Sequence, residues 1–326
     1  MNRHFALFVG IMALAGSVLA GCSNDSTGPA DDGQAPAGVS DEMTAIQYFA
    51  REDDFVKNEE ETFGDVTLEP GEYATFGKID AAITPLRWGR IITGVNRSVT
   101  VNLLPGDSIA IARVTKTITG DFKIRALNGT GDTVVITKPF TDQSTRNVMF
   151  KRVRREPVRY WLNWLPVATS LVDGGTVGQS SSIDLVRLAM YLPGGDSVVV
   201  TDPNRFWLRY RWTYLYNAAD SDVPEFTPGQ RVRLQAKLTS AAADTDMVVL
   251  RFGVRGLQRA RVRMRLTAEQ FDPATGKYVR TYEIPFYTHA HTGFFHAGVD
   301  AMTRGTIFDD QAPYAVSWWG IPYRVL

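Results

Sequence analysis

Apolar and polar residues alternate along most of the chain from about Tyr73 onward. The clearest segment is 259–266, where four arginines alternate with Ala, Val, Met and Leu, and segment 231–238 repeats the pattern. Segment 205–216 alternates arginines with aromatic side chains. Because successive side chains of a strand point to opposite faces, each segment predicts a strand with one face in the core and one in solvent.

Turn signals separate these segments. They are Pro105-Gly106-Asp107, Asn128-Gly129, Pro193-Gly194-Gly195-Asp196 and the run from Asp272 to Gly276. Many short strands at even spacing favour antiparallel sandwiches. We therefore predict an all-β protein with two or three immunoglobulin-like β-sandwich domains. The resemblance is one of architecture, because the Cys…Trp…Cys signature of antibody domains is absent, and the β-rich body resembles no named family.

One short helix is predicted near the start of the body. Ser40-Asp41-Glu42 is typical of a helix start, and Met43, Ile46 and Phe49/Ala50 form an apolar stripe. The predicted organisation is a signal peptide (1–21), a flexible tether (22–40), the short helix with an acidic segment (41–65), an N-terminal β-sandwich (66–155) and a C-terminal β-sandwich region (156–326). The last region is alternatively two sandwiches divided near 224–228.

The first residues have the parts of a secretory signal. Arg3 is positive, and the apolar run from Ala6 to Ala20 is shorter than the roughly 20 residues of a membrane span. The run ends in Leu19-Ala20-Gly21-Cys22, which resembles the lipobox of bacterial lipoproteins. The alternative is an ordinary cleaved signal in which Cys22 has no role.

The lipoprotein resemblance implies an address. Cys22 would become the mature N-terminus and the lipid attachment site, which makes the membrane a partner. The next residue is Ser23 rather than Asp, which in this family favours the outer membrane of the bacterial cell envelope. Since Cys22 is the single cysteine of the chain, no internal disulfide forms and stability comes from the core.

Charge is segregated along the chain although its formal net charge is zero. Residues 23–80 contain fifteen acidic residues and three basic ones, and the excess of positive charge lies in residues 81–326. The acidic segment is either solvated and extended or docked on the basic body. Docking requires contact, because exposed charges are screened beyond about 8 Å at physiological salt.

Arginines interleaved with aromatics predict a ligand-binding sheet face within residues 205–266. The candidate residues are Arg205, Trp207, Arg209, Arg211, Arg259, Arg261 and Arg263. Arginine binds phosphate, sulfate and carboxylate well, so an anionic envelope polymer or another envelope protein is the expected partner, and no nucleic acid is expected. The alternative is a solvated outer face whose arginine stems cover apolar surface.

Three histidines lie close together, at His289, His291 and His296. If Thr292-Gly293 forms a two-residue hairpin loop, all three imidazoles share one sheet face. Such a face could hold one zinc or copper ion with an open coordination position. The alternative is a surface histidine patch without a ligand.

The sequence gives little support for nucleophilic catalysis, although the members of a serine triad need not lie close together in the chain. It has no Gly-x-Ser-x-Gly elbow, Walker loop or Rossmann fingerprint. The expected function is that of a lipid-anchored envelope protein with a binding or structural role, without a cofactor and not an enzyme. The alternative is a metal-binding protein or metal-dependent enzyme that uses the three histidines.

Overall fold

The computed structural model describes residues 36–52, 56, 83–155, 157, 159–179, 182–192, 194–209, 224–253 and 260–326. These residues form two mainly antiparallel sheets with few helices, which confirms the predicted all-β class. The predicted signal peptide and most of the predicted tether and acidic segment lie outside the described residues.

The described elements follow one another in this order. The first part contains α1 (Glu42–Glu52), β1 (Thr84–Leu103), β2 (Ile109–Leu127), β3 (Thr133–Arg152), β4 (Trp164–Ser170), β5 (Val172–Thr176), β6 (Ile183–Tyr191), β7 (Ser197–Val200) and β8 (Trp207–Arg209). The second part contains β9 (Glu225–Phe226), β10 (Arg231–Ser240), β11 (Met247–Gly253), β12 (Ala260–Arg263), β13 (Arg265–Asp272), β14 (Lys277–Tyr287), β15 (Gly293–Met302), α2 (Arg304–Phe308) and β16 (Val316–Val325).

Sheet A is the larger sheet and runs continuously from the N-terminal to the C-terminal strands. Its order is β1-β2-β3-β5-β16-β15-β11-β12, with β4 beside β3, β8 beside β4 and β9 beside β16. The first three strands form a meander whose turns lie at Pro105-Gly106-Asp107 and Asn128-Gly129, as predicted. Strands on both sides of residue 155 therefore share one sheet.

Sheet B, with the order β13-β14-β10-β6-β7, packs on one face of sheet A. Leu188, Leu234 and Tyr282 of sheet B meet Val299 and Trp319 of sheet A in one buried core. Full burial of each large apolar side chain stabilises the fold by about 1.5–3 kcal/mol. The two sheets therefore form a β-sandwich.

The opposite face of the same central strands is also buried. Trp88 and Phe122 from the meander, Phe308 from α2 and Trp318 from β16 form a second core. Sheet A is curled, so that its two ends approach each other, and the guanidinium of Arg261 on β12 lies 3.8 Å from the ring centroid of Trp88 on β1. The central strands thus lie in the middle of three layers.

Helix α1 confirms the helix predicted after Ser40. The Asp41 carboxylate accepts a hydrogen bond from the Thr44 backbone N–H (2.8 Å), and the Thr44 hydroxyl oxygen accepts one from the Asp41 N–H (2.9 Å). This reciprocal cap satisfies backbone donors at the helix start. Ile46 and Ala50 are buried against the meander, as expected, whereas Met43 is 37% exposed.

Candidate functional site

The predicted arginine residues that the structure describes do not gather on one face. Arg205 belongs to a 3-10 turn, where its 89%-exposed side chain pairs with Asp202 at 3.4 Å. Trp207 and Arg209 lie on β8, whose described neighbour is β4. Arg211 and Arg259 lie outside the described residues.

The remaining two residues of that set lie at the other end of sheet A. Arg261 and Arg263 belong to β12, which pairs with β11, and the order of sheet A separates β12 from β8. The Arg261 guanidinium stacks on Trp88, so this arginine contributes to closing the curled sheet. Alternation along the sequence predicted each strand but could not show that the strands are far apart in the sheet.

The predicted histidine hairpin is wrong. β14 belongs to sheet B and β15 to sheet A, so Thr292 lies in a connection between sheets and Gly293 is the first residue of β15. His289 and His291 belong to that connection, and His296 is a β15 residue whose side chain lies outside the described part of the structure.

His289 has packing contacts. Its Nδ1 lies 2.8 Å from the Tyr323 hydroxyl oxygen, and its ring stacks on Phe295 with centroids 4.0 Å apart. Burial, with a smaller contribution from His291, lowers the pKa of His289. Among the side chains that the structure describes, no group of three His, Cys, Asp or Glu could hold a metal ion. The zinc or copper site stays a prediction.

Cys22 lies outside the described residues, so its lipidation also stays a prediction. Within the described part of the chain, no helix has the length and apolar character needed to cross a bilayer.

Sheet B presents a basic face to solvent. Strand β10 lies at its centre and buries Val232, Leu234, Ala236 and Leu238, which turns the alternate residues outward. We define the basic face as Arg187, Tyr191, Arg231, Arg233, Gln235, Lys237, Arg265, Glu283 and Tyr287. It contains five cations and one carboxylate. Beyond it, toward the β13–β14 turn, the sheet carries Asp184, Asp272 and Lys277.

Strand register brings the residues of the basic face together. Arg233 pairs with Tyr191 on β6, and its guanidinium carbon lies 4.1 Å from the tyrosine ring centroid. Lys237, which is also on β10, pairs with Arg187, which is also on β6. Cation–π contact of this kind is favourable and orients the guanidinium. One side of the face therefore has a fixed arginine and the other has two adjacent cations.

Hydrogen bonds hold the centre of the basic face. The Gln235 carbonyl oxygen accepts from Arg187 Nη1 (2.6 Å) and from the Tyr191 hydroxyl (3.4 Å). The Gln235 amide donates to Glu283 Oε1 (2.7 Å), while Glu283 Oε2 lies 3.6 Å from Arg233 Nη1. The network connects three neighbouring strands before any ligand is bound, which limits the entropy lost on binding.

Sequence reasoning missed this surface in part. The alternation of segment 231–238 is visible in the sequence, but Tyr191 and Glu283 are 44 and 48 residues from Gln235 in the chain. Strand pairing, which the sequence does not contain as a local signal, completes the surface.

A second polar cluster lies inside the curled sheet. Asp300 accepts hydrogen bonds from Arg90 (2.6 and 3.1 Å) and pairs with Arg251 at 2.9 Å. The Tyr314 hydroxyl accepts from Arg90 Nε and donates to Asp142 Oδ2 at 3.0 Å. All five side chains are buried, so this cluster has a structural role.

Burial sets the pKa values of the cluster. It would raise the pKa of Asp300, but Arg90 and Arg251 hold that pKa below its ordinary value. Burial raises the pKa of Asp142 to about 6, because the opposing effect of Arg90 is smaller there. One carboxylate is therefore ionised in the core, and the other titrates near neutrality.

Comparison with protein-family models, curated proteins and solved structures gives no match for this chain.

Proposed function

We propose that this protein is a lipid-anchored binding protein of the bacterial envelope whose ligand is an anionic surface polymer. The observation that carries the proposal is the basic face, where five cations and one carboxylate share the solvent side of sheet B. Arginine forks suit carboxylate, sulfate and phosphate groups. An open sheet face suits an extended chain, because it offers contacts in several directions without requiring a deep pocket.

The address in this proposal is supported by the lipobox-like sequence that ends at Cys22. The signal peptide, the lipid on Cys22 and the outer-membrane location are parts of the proposal, as is the immunoglobulin-like character of the sandwich. An anchored protein meets polymers of the cell surface at high local concentration, so a modest affinity at the basic face is sufficient for retention.

The binding role is tested by removing cations from the basic face. A variant with Arg231, Arg233 and Lys237 changed to Ser should elute from a dextran sulfate column at clearly lower salt than the unmodified protein. Each lost ionic contact should also reduce the slope of log K against log salt by about one unit, as for other polyanions.

The matched control removes the same charge elsewhere. Arg87, Arg113 and Arg125 are exposed residues of β1 and β2, and a variant with all three changed to Ser has the same net charge as the test variant. We expect its elution to stay near that of the unmodified protein. Equal losses in the two variants would mean that net charge alone causes retention, which would overturn the proposal.

The address is tested separately in a bacterial host. The full chain should incorporate labelled palmitate and fractionate with membranes, and Cys22→Ser should abolish both properties. Equal labelling of the Cys22→Ser variant would refute the lipid anchor without affecting the binding experiment.

A further inference from the structure

Glu283 is a carboxylate at the centre of a surface that is otherwise basic. Its side chain is 25% exposed, and it lies beside Gln235 and Arg233, with Arg265 opposite it on β13. A polyanion with a charge on every unit would place one of its charges against this carboxylate. Like charges at contact repel, so Glu283 opposes ligands of that kind.

The same carboxylate suits a neutral, hydroxyl-bearing unit. An ionised carboxylate has about four acceptor sites, and the contacts to Gln235 and Arg233 occupy two of them. The free acceptor sites of Glu283 can receive hydrogen bonds from sugar hydroxyls. Charge-assisted hydrogen bonds of this type are short and strong.

Cations lie on both sides of this neutral-binding centre. Along β10, Arg233 precedes Gln235 by two residues and Lys237 follows it by two, which places the Cα atom of each cationic residue roughly 7 Å from that of Gln235. Beside them, Tyr191 stacks with Arg233, and Tyr287 is 62% exposed. Tyrosine rings offer apolar surface for the C–H face of a sugar together with a polar tip.

We propose that the ligand is an acidic polysaccharide in which charged sugars alternate with neutral sugars. The charged sugars lie on Arg233 and on the Lys237–Arg187 pair, and the neutral sugar between them donates hydroxyl hydrogen bonds to Glu283. This inference depends on the proposed binding role of the basic face. It adds that Glu283 selects among polyanions by their charge spacing.

The experiment compares two probes on the unmodified protein and on Glu283→Gln. Hyaluronan alternates a carboxylated sugar with a neutral one, and dextran sulfate is charged on nearly every unit. The affinity for hyaluronan should fall roughly tenfold in Glu283→Gln, since a charge-assisted hydrogen bond is lost. The affinity for dextran sulfate should rise several-fold, because the repulsion is removed.

Two further variants complete the experiment. Glu225→Gln makes the same charge change on β9 of sheet A and should change the affinity for neither probe. Gln235→Met leaves Glu283 in place but removes the amide that orients it, and should also weaken hyaluronan binding. This second variant keeps the inference testable if Glu283→Gln folds poorly.

The outcomes separate the inference from the proposed function. If Glu283→Gln strengthens binding of both probes, Glu283 is only a repulsive charge, and the inference fails while the binding role stands. Binding of dextran sulfate without any binding of hyaluronan has the same meaning. If the unmodified protein binds neither probe, the proposed function itself fails.

Discussion

Asp300 receives two guanidinium groups, from Arg90 and Arg251, in a part of the core where all three side chains are buried. Desolvation of such ions is costly, and the cost is offset only while the charges remain paired. The cluster connects β1 with β11 and β15, and it therefore fixes how far sheet A curls.

We predict that Asp300→Asn destabilises the protein by about 3–5 kcal/mol, because two guanidinium groups then remain buried without their anion. The free energy of unfolding in urea measures this loss. Asp196→Asn, at an exposed turn position, is the control and should change stability by less than about 0.5 kcal/mol. Equal effects of the two changes would contradict the structural role of Asp300.

Asp142 makes stability depend on pH. Its pKa is about 6 in the folded state against 3.8 for an exposed aspartate, so the folded protein holds a proton that the unfolded chain has released between these values. Its contribution is therefore fully present below about pH 4 and is lost as the pH rises through 6. The free energy of unfolding therefore falls as the pH rises through 6. We predict that Asp142→Asn reduces this decrease by up to about 3 kcal/mol.

The measurement is urea unfolding of both proteins from pH 4 to pH 8. Asp173 and Asp246 also have pKa values raised to about 6 by burial, and both remain in the variant. The difference between the two stability curves therefore isolates Asp142. A difference that stays constant over this range would show that Asp142 does not titrate near pH 6.

For single residues, the sequence predicts which positions alternate between apolar and polar, but it does not predict which charged side chains form ion pairs. Arg90 and Asp300 are 210 residues apart, and no local pattern connects them. The arginines of segment 259–266 suggested a surface site, whereas Arg261 packs on Trp88. Pairing across a sheet is decided by the topology, which a single sequence does not contain.

Helix α1 is held on the body through its first residue. The Glu42 carboxylate accepts hydrogen bonds from Asn163 (2.7 Å), Trp164 (3.2 Å) and Arg152 (3.0 Å), in three different elements or turns. Because several donors lose one acceptor, we predict that Glu42→Ala destabilises the protein by about 2–3 kcal/mol. Arg51→Ala, in the exposed last turn, is the control.

The readout for α1 is hydrogen exchange. Amides of α1 should lose protection in Glu42→Ala while those of β10 and β14 keep theirs, since local opening has its own free energy. Uniform loss of protection over the whole chain would indicate that α1 is part of the global folding unit rather than a docked element.

Strand β5 passes directly under a tryptophan. A methyl group on Gly174 would overlap the indole ring of Trp318, which is fully buried. We predict that Gly174→Ala destabilises the protein by about 1–3 kcal/mol through overpacking. Gly194→Ala, in an open turn where an added methyl group meets nothing, should be nearly neutral in the same denaturant experiment.

Elements were more predictable than their partners. The helix after Ser40, the turns and the strand character of the body follow from capping residues, Gly and Pro positions and alternation. The predicted Thr292-Gly293 hairpin is wrong because β14 belongs to sheet B and β15 belongs to sheet A. Met264 shows the same effect, since β12 in sheet A and β13 in sheet B are separated by this one residue.

The whole molecule shares one large sheet between its two halves. β3 pairs with β4 and β5, and Arg90 of β1 pairs with Asp300 of β15. We predict that a fragment of residues 156–326 expressed alone does not unfold cooperatively, because one face of its central strands has lost its cover. A sharp urea transition in that fragment would contradict this expectation.

The predicted boundary near residue 155 was based on composition and turn residues. Those signals mark where a strand ends, but they do not state whether the next strand begins a new sheet or continues the old one. The basic face could not be predicted for the same reason, because it depends on the pairing of β10 with β6 and β14.

The attachment of α1 has a mechanical consequence. If Cys22 is anchored in a membrane and sheet B binds a polymer, as proposed, a pull on that polymer loads the body through Val39, whose carbonyl oxygen accepts a hydrogen bond from the Tyr160 hydroxyl (3.0 Å). The long strands resist such a load with many parallel hydrogen bonds, whereas α1 is held by the buried side chains of Ala45, Ile46 and Ala50 and by the hydrogen bonds of Glu42. Under tension α1 would yield first, and its 11 residues would lengthen the connection by roughly 20 Å. Unfolding of α1 would then limit the force that reaches sheet B when the cell surface is sheared.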